Sequence, residues 1–516
     1  MKNIFSFKKL SFKPLVCVAI VSFQLFNSSS FAQFSGGNGT VNNPYIITTA
    51  AELAQLATYV NAGDTAYNNK QYKLANNINL SAYGAGFNNG KGWTPIGQYD
   101  VIYMVNNRPF KGIFNGDSNT ITGLYINDSS LFCAGLFGST KGASIHSLTL
   151  DSVNIKAGAY VGSIVGFDSA SAILSCSSSG TIKAGGYVGG LLGYCPISFA
   201  FAALLDCHSS CNITGLNYVG GLAGAVGNLY KITNCYSTGN ISGNDFVGGI
   251  VGMLTTNSSV MQCYSTGNVV GNSNVSGIAG FVVGSIVSNN YSIGNITANN
   301  YSGGIAGKAI DGGCTKVIIT NNAALNQSIN GEILCNRIIG DSIERRVGVT
   351  IEVNNLAYES ILTYTGDVLW QNKGADNLDG EDISKETINA DGTLGGRFTD
   401  AVWTTQNGKL PGLFGKPVEM PEHLQKAGQG TTGIAERDNS DIRVYPNPTT
   451  GELTIDNGQL TIDNVEVYDI SGKLVQTYRF NSSTKVNLDV STLAKGAYSL
   501  SIYSEGQKTT KKFVKE

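Results

Sequence analysis

The sequence predicts an all-β protein built on a parallel β-solenoid (β-helix) of about seven 28-residue coils, with N- and C-terminal cap modules and a small C-terminal β-sandwich. Three observations carry this. One seven-residue phrase returns between Phe132 and Gly307, as Phe132-CAGLFG, Tyr160-VGSIVG, Tyr187-VGGLLG, Tyr218-VGGLAG, Phe246-VGGIVG, Asn274-VSGIAG and Tyr301-SGGIAG. Its leading residues stand 28, 27, 31, 28, 28 and 27 positions apart, and self-similarity at such a period marks a stacked array. A second phrase follows, among others as Leu204-LDCHSSCNI, Ile232-TNCYSTGNI and Val260-MQCYSTGNV, with the period-two alternation of a strand buried on one face. The glycines inside each phrase argue against a helical pair, because Gly in a helix interior costs about 1 kcal/mol relative to Ala.

Parallel stacking places equivalent residues ~4.8 Å apart in columns. One column holds Leu148, Cys176, Cys207, Cys235, Cys263, Asn290 and Asn322, and another holds Asn212, Asn240, Asn268 and Asn295, whose amides can bond along the stack. Tyr160, Tyr187, Tyr218 and Tyr301, with Phe132 and Phe246, form one aromatic column; Tyr236, Tyr264 and Tyr291 form a second. Each column is either a ladder that stabilises the coil or an outward face for sugar rings or a protein partner. Tyr236, Tyr264 and Tyr291 are the candidate ligand-facing set.

The recurring Gly135-Leu-Phe-Gly138, Gly190-Leu-Leu-Gly193 and Gly221-Leu-Ala-Gly224, with Ile variants at Gly249, Gly277 and Gly304, resemble the GLUG repeat of bacterial surface proteins across roughly residues 130 to 330. The second coil departs from it, with Ser163 where the first Gly belongs.

In chain order, residues 1–32 read as a signal peptide. Lys2, Lys8, Lys9 and Lys13 precede an apolar run and Ser30-Phe-Ala32, so cleavage is expected between Ala32 and Gln33. Nothing later has the roughly 18 unbroken apolar residues of a membrane span. Residues 33–130 form the N-terminal cap and first coils; Thr49-Ala-Ala-Glu52 is a capping box opening a helix with Leu53, Leu56, Ala57 and Val60 on one face. Residues 131–330 are the repeats, 331–415 a C-terminal cap with Trp370 and Trp403 in its core, and 416–440 a linker.

The last segment, 441–516, reads as alternating strands separated by Gly turns. Its three motifs, Val444-YPNPTTGELTI, Val465-EVYDISGKLV and Leu488-DVSTLAKGAYSL, closely resemble the C-terminal sorting domain of the type IX secretion system; an ordinary immunoglobulin-like β-sandwich is the alternative. Pro446, Asn447, Pro448, Gly451, Asp469, Gly472 and Gly496 match that family's pattern. The resemblance implies that the secretion machinery is a partner recognising 441–516, that the protein crosses the outer membrane, and that it ends on the cell surface or outside. Asp64-Thr65-Ala, Asp151-Ser152-Val and Asp341-Ser342-Ile resemble the O-glycosylation triplet of bacteria using this route.

Losing the leader's four Lys leaves 30 basic against 36 acidic residues, a net −6, which argues against nucleic acid or an anionic membrane as partner. Of ten Cys, nine remain. Their once-per-coil spacing reads as a buried column, and Cys207, Cys211 and Cys195 are the best candidates for a local bridge. No metal or cofactor motif occurs, and HExxH is missing. Between 132 and 330 the acids are Asp151, Asp168, Asp206, Asp245 and Asp311, and none shares a column with a catalytic partner. The expected function is therefore an adhesin-like or structural binding protein, not an enzyme, with a glycan or protein ligand; the rival is a carbohydrate-active enzyme on the same scaffold.

Overall fold

The computed structural model describes residues 34–100, 105–196, 202–312, 315–341, 354–363, 365–426, 442–456, 461–469, 473–504 and 507–516. The chain forms two units, divided between Gln425 and Lys426. The first is a parallel β-solenoid of about eleven turns, four more than the repeated phrase announces. The extra turns come from segments that keep the geometry without the wording. Tyr45–Ile47, Gln71–Leu74 and Ile113–Asn115 begin the ten-stranded sheet that the repeats continue to Ile318–Thr320, and Leu356–Tyr358 and Glu381–Ile383 extend another ladder past them.

One coil illustrates the rest. Lys231–Thr233 lies in the ten-stranded sheet, then come Tyr236–Ser237, Ile241–Ser242 and Asp245–Gly248, and Val251–Thr255 lies in an eight-stranded sheet. Ile232, Cys235, Ile241, Val247, Ile250 and Leu254 point inward and are buried. Each sits over its equivalent on the next coil, as in Ile232↔Val260, Ile241↔Val269 and Val247↔Val275.

The two phrases depend on each other sterically. A Cβ on Gly221 would lie 2.0 Å from the Gly249 carbonyl oxygen and 2.3 Å from Ser237 Oγ; one on Gly249 would lie 2.1 Å from the Gly277 carbonyl oxygen and 2.4 Å from Ser265 Oγ. The missing side chain of the first phrase is the space the buried serine of the second phrase occupies. Ser163, which replaces this glycine in the second coil, turns its hydroxyl to the Gly190 carbonyl, which Ser178 also reaches.

The polar columns work through the backbone. Asn240, Asn268 and Asn295 donate their N–H to the Oδ1 of Asn212, Asn240 and Asn268 at 2.9–3.0 Å. The cysteine column likewise receives backbone donors from the neighbouring coil. Cys176 and Cys207 N–H point to the sulfurs of Cys207 and Cys235 at 3.4 and 3.3 Å, and Cys263 N–H donates to Asn290 Oδ1 at 2.9 Å. Burial pushes the thiols of Cys176 and Cys235 well above their ordinary value. All eight described cysteines are unbridged, so the local bridge expected among Cys195, Cys207 and Cys211 is not formed. Cys207 and Cys211 each lie inside the coil in their own strand registers, with Cys207 against Cys235 and Cys211 beside Ser178.

Both ends are closed. Helix Ala50–Ala62 carries the expected capping box, with Glu52 N–H donating to Thr49 Oγ1 at 3.2 Å and Thr49 N–H to Glu52 Oε2 at 3.1 Å. At the other end Arg337 is fully buried, donating to Asp382 at 2.6 Å and to the carbonyls of Tyr358 and Gly380. The expected linker begins too early: Leu424 is buried and His423 Nε2 lies 2.8 Å from the Leu325 carbonyl, so the chain through Gln425 belongs to the solenoid unit.

The second unit has two antiparallel sheets, of three and four strands, around Leu453, Ile455, Val465, Val467, Leu488, Leu500, Ile502 and Phe513. Asn447 ties the opening turn to the last strand, its Oδ1 accepting from Val514 N–H at 2.9 Å and its Nδ2 donating to the Lys512 carbonyl at 3.2 Å. The Gly451 carbonyl accepts from Val490 N–H at 2.8 Å, and Asp469 Oδ1 accepts from Lys473 N–H at 3.1 Å. Gly496, at φ 157°, begins the strand that pairs with the C-terminus. Gly472, the residues around the expected leader cleavage (Ala32 and Gln33) and Ser342 lie outside the described residues.

Candidate functional site

The expected ligand face is covered. His208, Tyr236, Tyr264 and Tyr291 stack nearly parallel, with ring centroids 4.7, 4.8 and 5.1 Å apart. The C-terminal module of the same unit lies over them. Phe414 meets His208 and Tyr236, Trp403 meets Tyr264 and Tyr291, Phe398 meets Tyr291, and the Tyr291 hydroxyl donates to the Pro411 carbonyl at 2.5 Å. Tyr264 and Tyr291 are buried and Tyr236 is half-buried at the margin. Burial raises the phenol pKa of all three. The ligand-facing assignment of these tyrosines is therefore corrected: their outer edges hold the chain's own module. The repeat wording shows which residues form a column, whereas what covers them is written more than a hundred residues later.

The other column is open among the described residues. Tyr160, Tyr187, Tyr218 and Phe246 stack with centroids 5.0, 4.5 and 4.9 Å apart and planes within 14°, and all four are half-buried. Beside them on the eight-stranded sheet run Phe167, Tyr194, Ala225, Met253 and Phe281, in register from coil to coil. Lys308 continues that row, paired with Asp341 at 2.6 Å and poised 4.6 Å from the Tyr301 ring centre. The result is a ledge of aromatic edges and hydroxyls whose two rows carry that one closed ion pair. Aromatics and Met with few charges are the composition of an interface core.

The backbone of the open column is unusual. Tyr160, Tyr187, Tyr218, Phe246, Asn274 and Tyr301 all have φ between 53° and 59°. A left-handed non-glycine residue costs roughly 1–2 kcal/mol, and an aromatic pair returns about 0.5–1.5 kcal/mol, so stacking offsets the kink without requiring it. Asn274 shows that the kink needs no ring: a coil closes there with the residue this conformation prefers. The aromatic choice at the other positions is thus additional to the fold.

The first coil breaks the register. Phe132 pairs with Ala159 and Ala134 with Val161, so Cys133, at φ 62°, and not Phe132, takes the kink. The coil is one residue shorter at this corner than the repeat wording implies. Phe132 is displaced outward, 44% exposed and tilted 45° from Tyr160.

The other sequence-marked positions lie apart from the ledge. Thr65 is exposed, and Ser152 is exposed at a kink of φ 56° with its hydroxyl 3.1 Å from Asp151. Asp168, one of the five acids of the repeats that share no column with a catalytic partner, is the one that the structure buries. It is fully buried, accepts from Thr140 Oγ1 at 2.7 Å and Ser171 N–H at 2.9 Å, and burial raises its pKa despite those bonds.

Comparison with known proteins bears on parts of the chain. A protein of Evansella cellulosilytica whose name describes a Gly-rich membrane protein is 34% identical over 159 residues, covering 29% of this chain and 17% of that one. Halomucin of Haloquadratum walsbyi is 33% identical over 147 residues, covering 28% of this chain and 1% of its own length. The chain thus spans less than a fifth of either relative. No solved structure matches. No helix among the described residues is long and apolar enough to cross a membrane. Residues 443–516 match the secretion system C-terminal sorting domain, and a tail of this kind implies export to the cell surface or the extracellular space.

Proposed function

We propose that this protein is an adhesin-like or structural binding rod, handed to the type IX machinery by its C-terminal unit and acting outside the cell without chemical turnover. The GLUG-like wording of its repeats agrees with a surface role. The observation that carries the reading is the uncovered ledge around Tyr160, Tyr187, Tyr218 and Phe246, beside a second aromatic stack that the chain seals for itself.

The test is adhesion of cells displaying the full chain to immobilised glycans and matrix proteins, against cells displaying the Tyr187→Ser/Tyr218→Ser protein. Lost adhesion with an unchanged far-UV spectrum and surface level supports the reading. Unchanged adhesion, or turnover of any of the immobilised polysaccharides, removes it. Deleting 443–516 is expected to keep the protein inside the cell, as followed by fractionation. Exposed Thr65 and Ser152 are the positions where a mass increase from O-glycosylation is expected in the secreted protein.

A further inference from the structure

We infer that the N-terminal end of the open ledge is a binding cleft for a neutral saccharide, with Phe132 as its platform; this rests on the binding-rod reading and names its ligand class. Along most of the ledge each ring face is taken by the next ring, because neighbouring planes lie within 14°. Such a stack offers edges and hydroxyls, and no flat surface. Phe132 differs. Displaced from the stack where the register shifts between Asp128 and Phe132, it stands 6.4 Å from Tyr160 at 45° and is 44% exposed, and no ring among the described residues stacks on its face.

The same spot is concave and polar-rimmed. A cleft of about 350 Å³ lies between Phe132, Leu131 and the segment around the antiparallel bridge of Gln98 to Arg108, which exchange two backbone bonds. Tyr99 stacks flat on Phe167 at 3.9 Å, and Cys133 Sγ points to the Tyr99 carbonyl, so Tyr99 is fastened to the ledge on both rows. Gln98, Asp100 and Asn106 reach the cleft beside the ring.

The chemistry narrows the ligand. An aromatic face takes the C–H face of a pyranose, while amide and carboxylate groups take its hydroxyls. No Lys or Arg is among the described residues lining the cleft, so it lacks what an anionic sugar, phosphate or nucleotide would require. Beyond the cleft, the Tyr160–Tyr187–Tyr218 hydroxyl edges run along the coil axis and suit further residues of an extended chain.

The test is titration calorimetry of the full mature protein with cellohexaose, laminarihexaose and chitohexaose. At least one is expected to bind, with affinity falling tenfold or more in Phe132→Ala and several-fold in Gln98→Ala, while the melting temperature of Phe132→Ala stays within a degree or two. Failure of all three sugars to bind, equal binding by Phe132→Ala, or binding of an aromatic-rich peptide in their place overturns the assignment. If Phe132→Ala leaves both sugar binding and cell adhesion intact, the cleft falls and the ledge stands; if the Tyr187→Ser/Tyr218→Ser protein still adheres, the rod reading itself falls.

Discussion

The two aromatic stacks share the repeat, the ~4.8 Å rise and nearly the same ring geometry, yet one is roofed and the other is not. The roofed stack behaves as core. Its tyrosines sit in ordinary strand positions, and Trp403, Phe398 and Phe414 fill the space outside them. The open stack stands on left-handed kinks that Asn274 shows a ring is not needed to make. The pair teaches that a stacked column of itself indicates neither structure nor function. Coverage decides, and the energetic cost of the backbone shows where a side chain is surplus to folding.

That contrast can be broken, most severely at the roof. Trp403→Ala should cost about 3–5 kcal/mol, as for other buried Trp truncations, and should raise amide exchange across 398–425. A loss below about 1 kcal/mol in urea denaturation would mean the roof is only loosely laid. Gly249→Ala acts on the glycine between Phe246 of the open stack and Ser265 beside Tyr264 of the roofed one. The extra methyl has no room, and a loss of about 1–3 kcal/mol is expected; a neutral melting temperature would show that the two phrases do not interlock.

The open stack should be far more forgiving. Tyr218→Ala is expected to cost about 1 kcal/mol, the scale of aromatic pairing, and Tyr218→Asn less than Tyr218→Ala because Asn tolerates the left-handed backbone. In the roofed stack the order reverses, Tyr264→Asn costing more than Tyr264→Ala through a buried amide without partners. The same order in both stacks would erase the distinction.

The smallest effect is one of pH. Asp168, next to Phe167 beneath the open ledge, has its pKa raised by burial. The folded protein therefore binds this proton more readily than the unfolded chain does. The resulting stabilisation is present below the ordinary carboxylate range and is lost as pH rises through the raised value. Wild type minus Asp168→Asn stability, measured by urea denaturation across acid pH, should grow as pH falls. A constant or opposite difference would place the carboxyl in water.

Much of this was legible beforehand, and for identifiable reasons. The inward column through Ile232, Val260 and Val287, the asparagine ladder and the Thr49–Glu52 capping box follow from period, side-chain type and local spacing. The shortfall of four turns arose because Tyr45–Ile47 or Glu381–Ile383 keep the stacking while losing the phrase. Arg337 gave no signal, since a lone Arg in a charged stretch reads as surface until Asp382 and the Gly380 and Tyr358 carbonyls are brought round it.

The sequence by itself determined the coil, because a parallel stack at fixed rise makes each residue answer first to its own equivalent one period away, and that relation is written in the repeat. Only the tertiary structure decided which aromatic column faces water and where Phe132 leaves the stack. Those outcomes depend on a module returning from 398–425 and on a corner one residue short, contacts whose partners are fixed by shape in space and not by any interval along the chain.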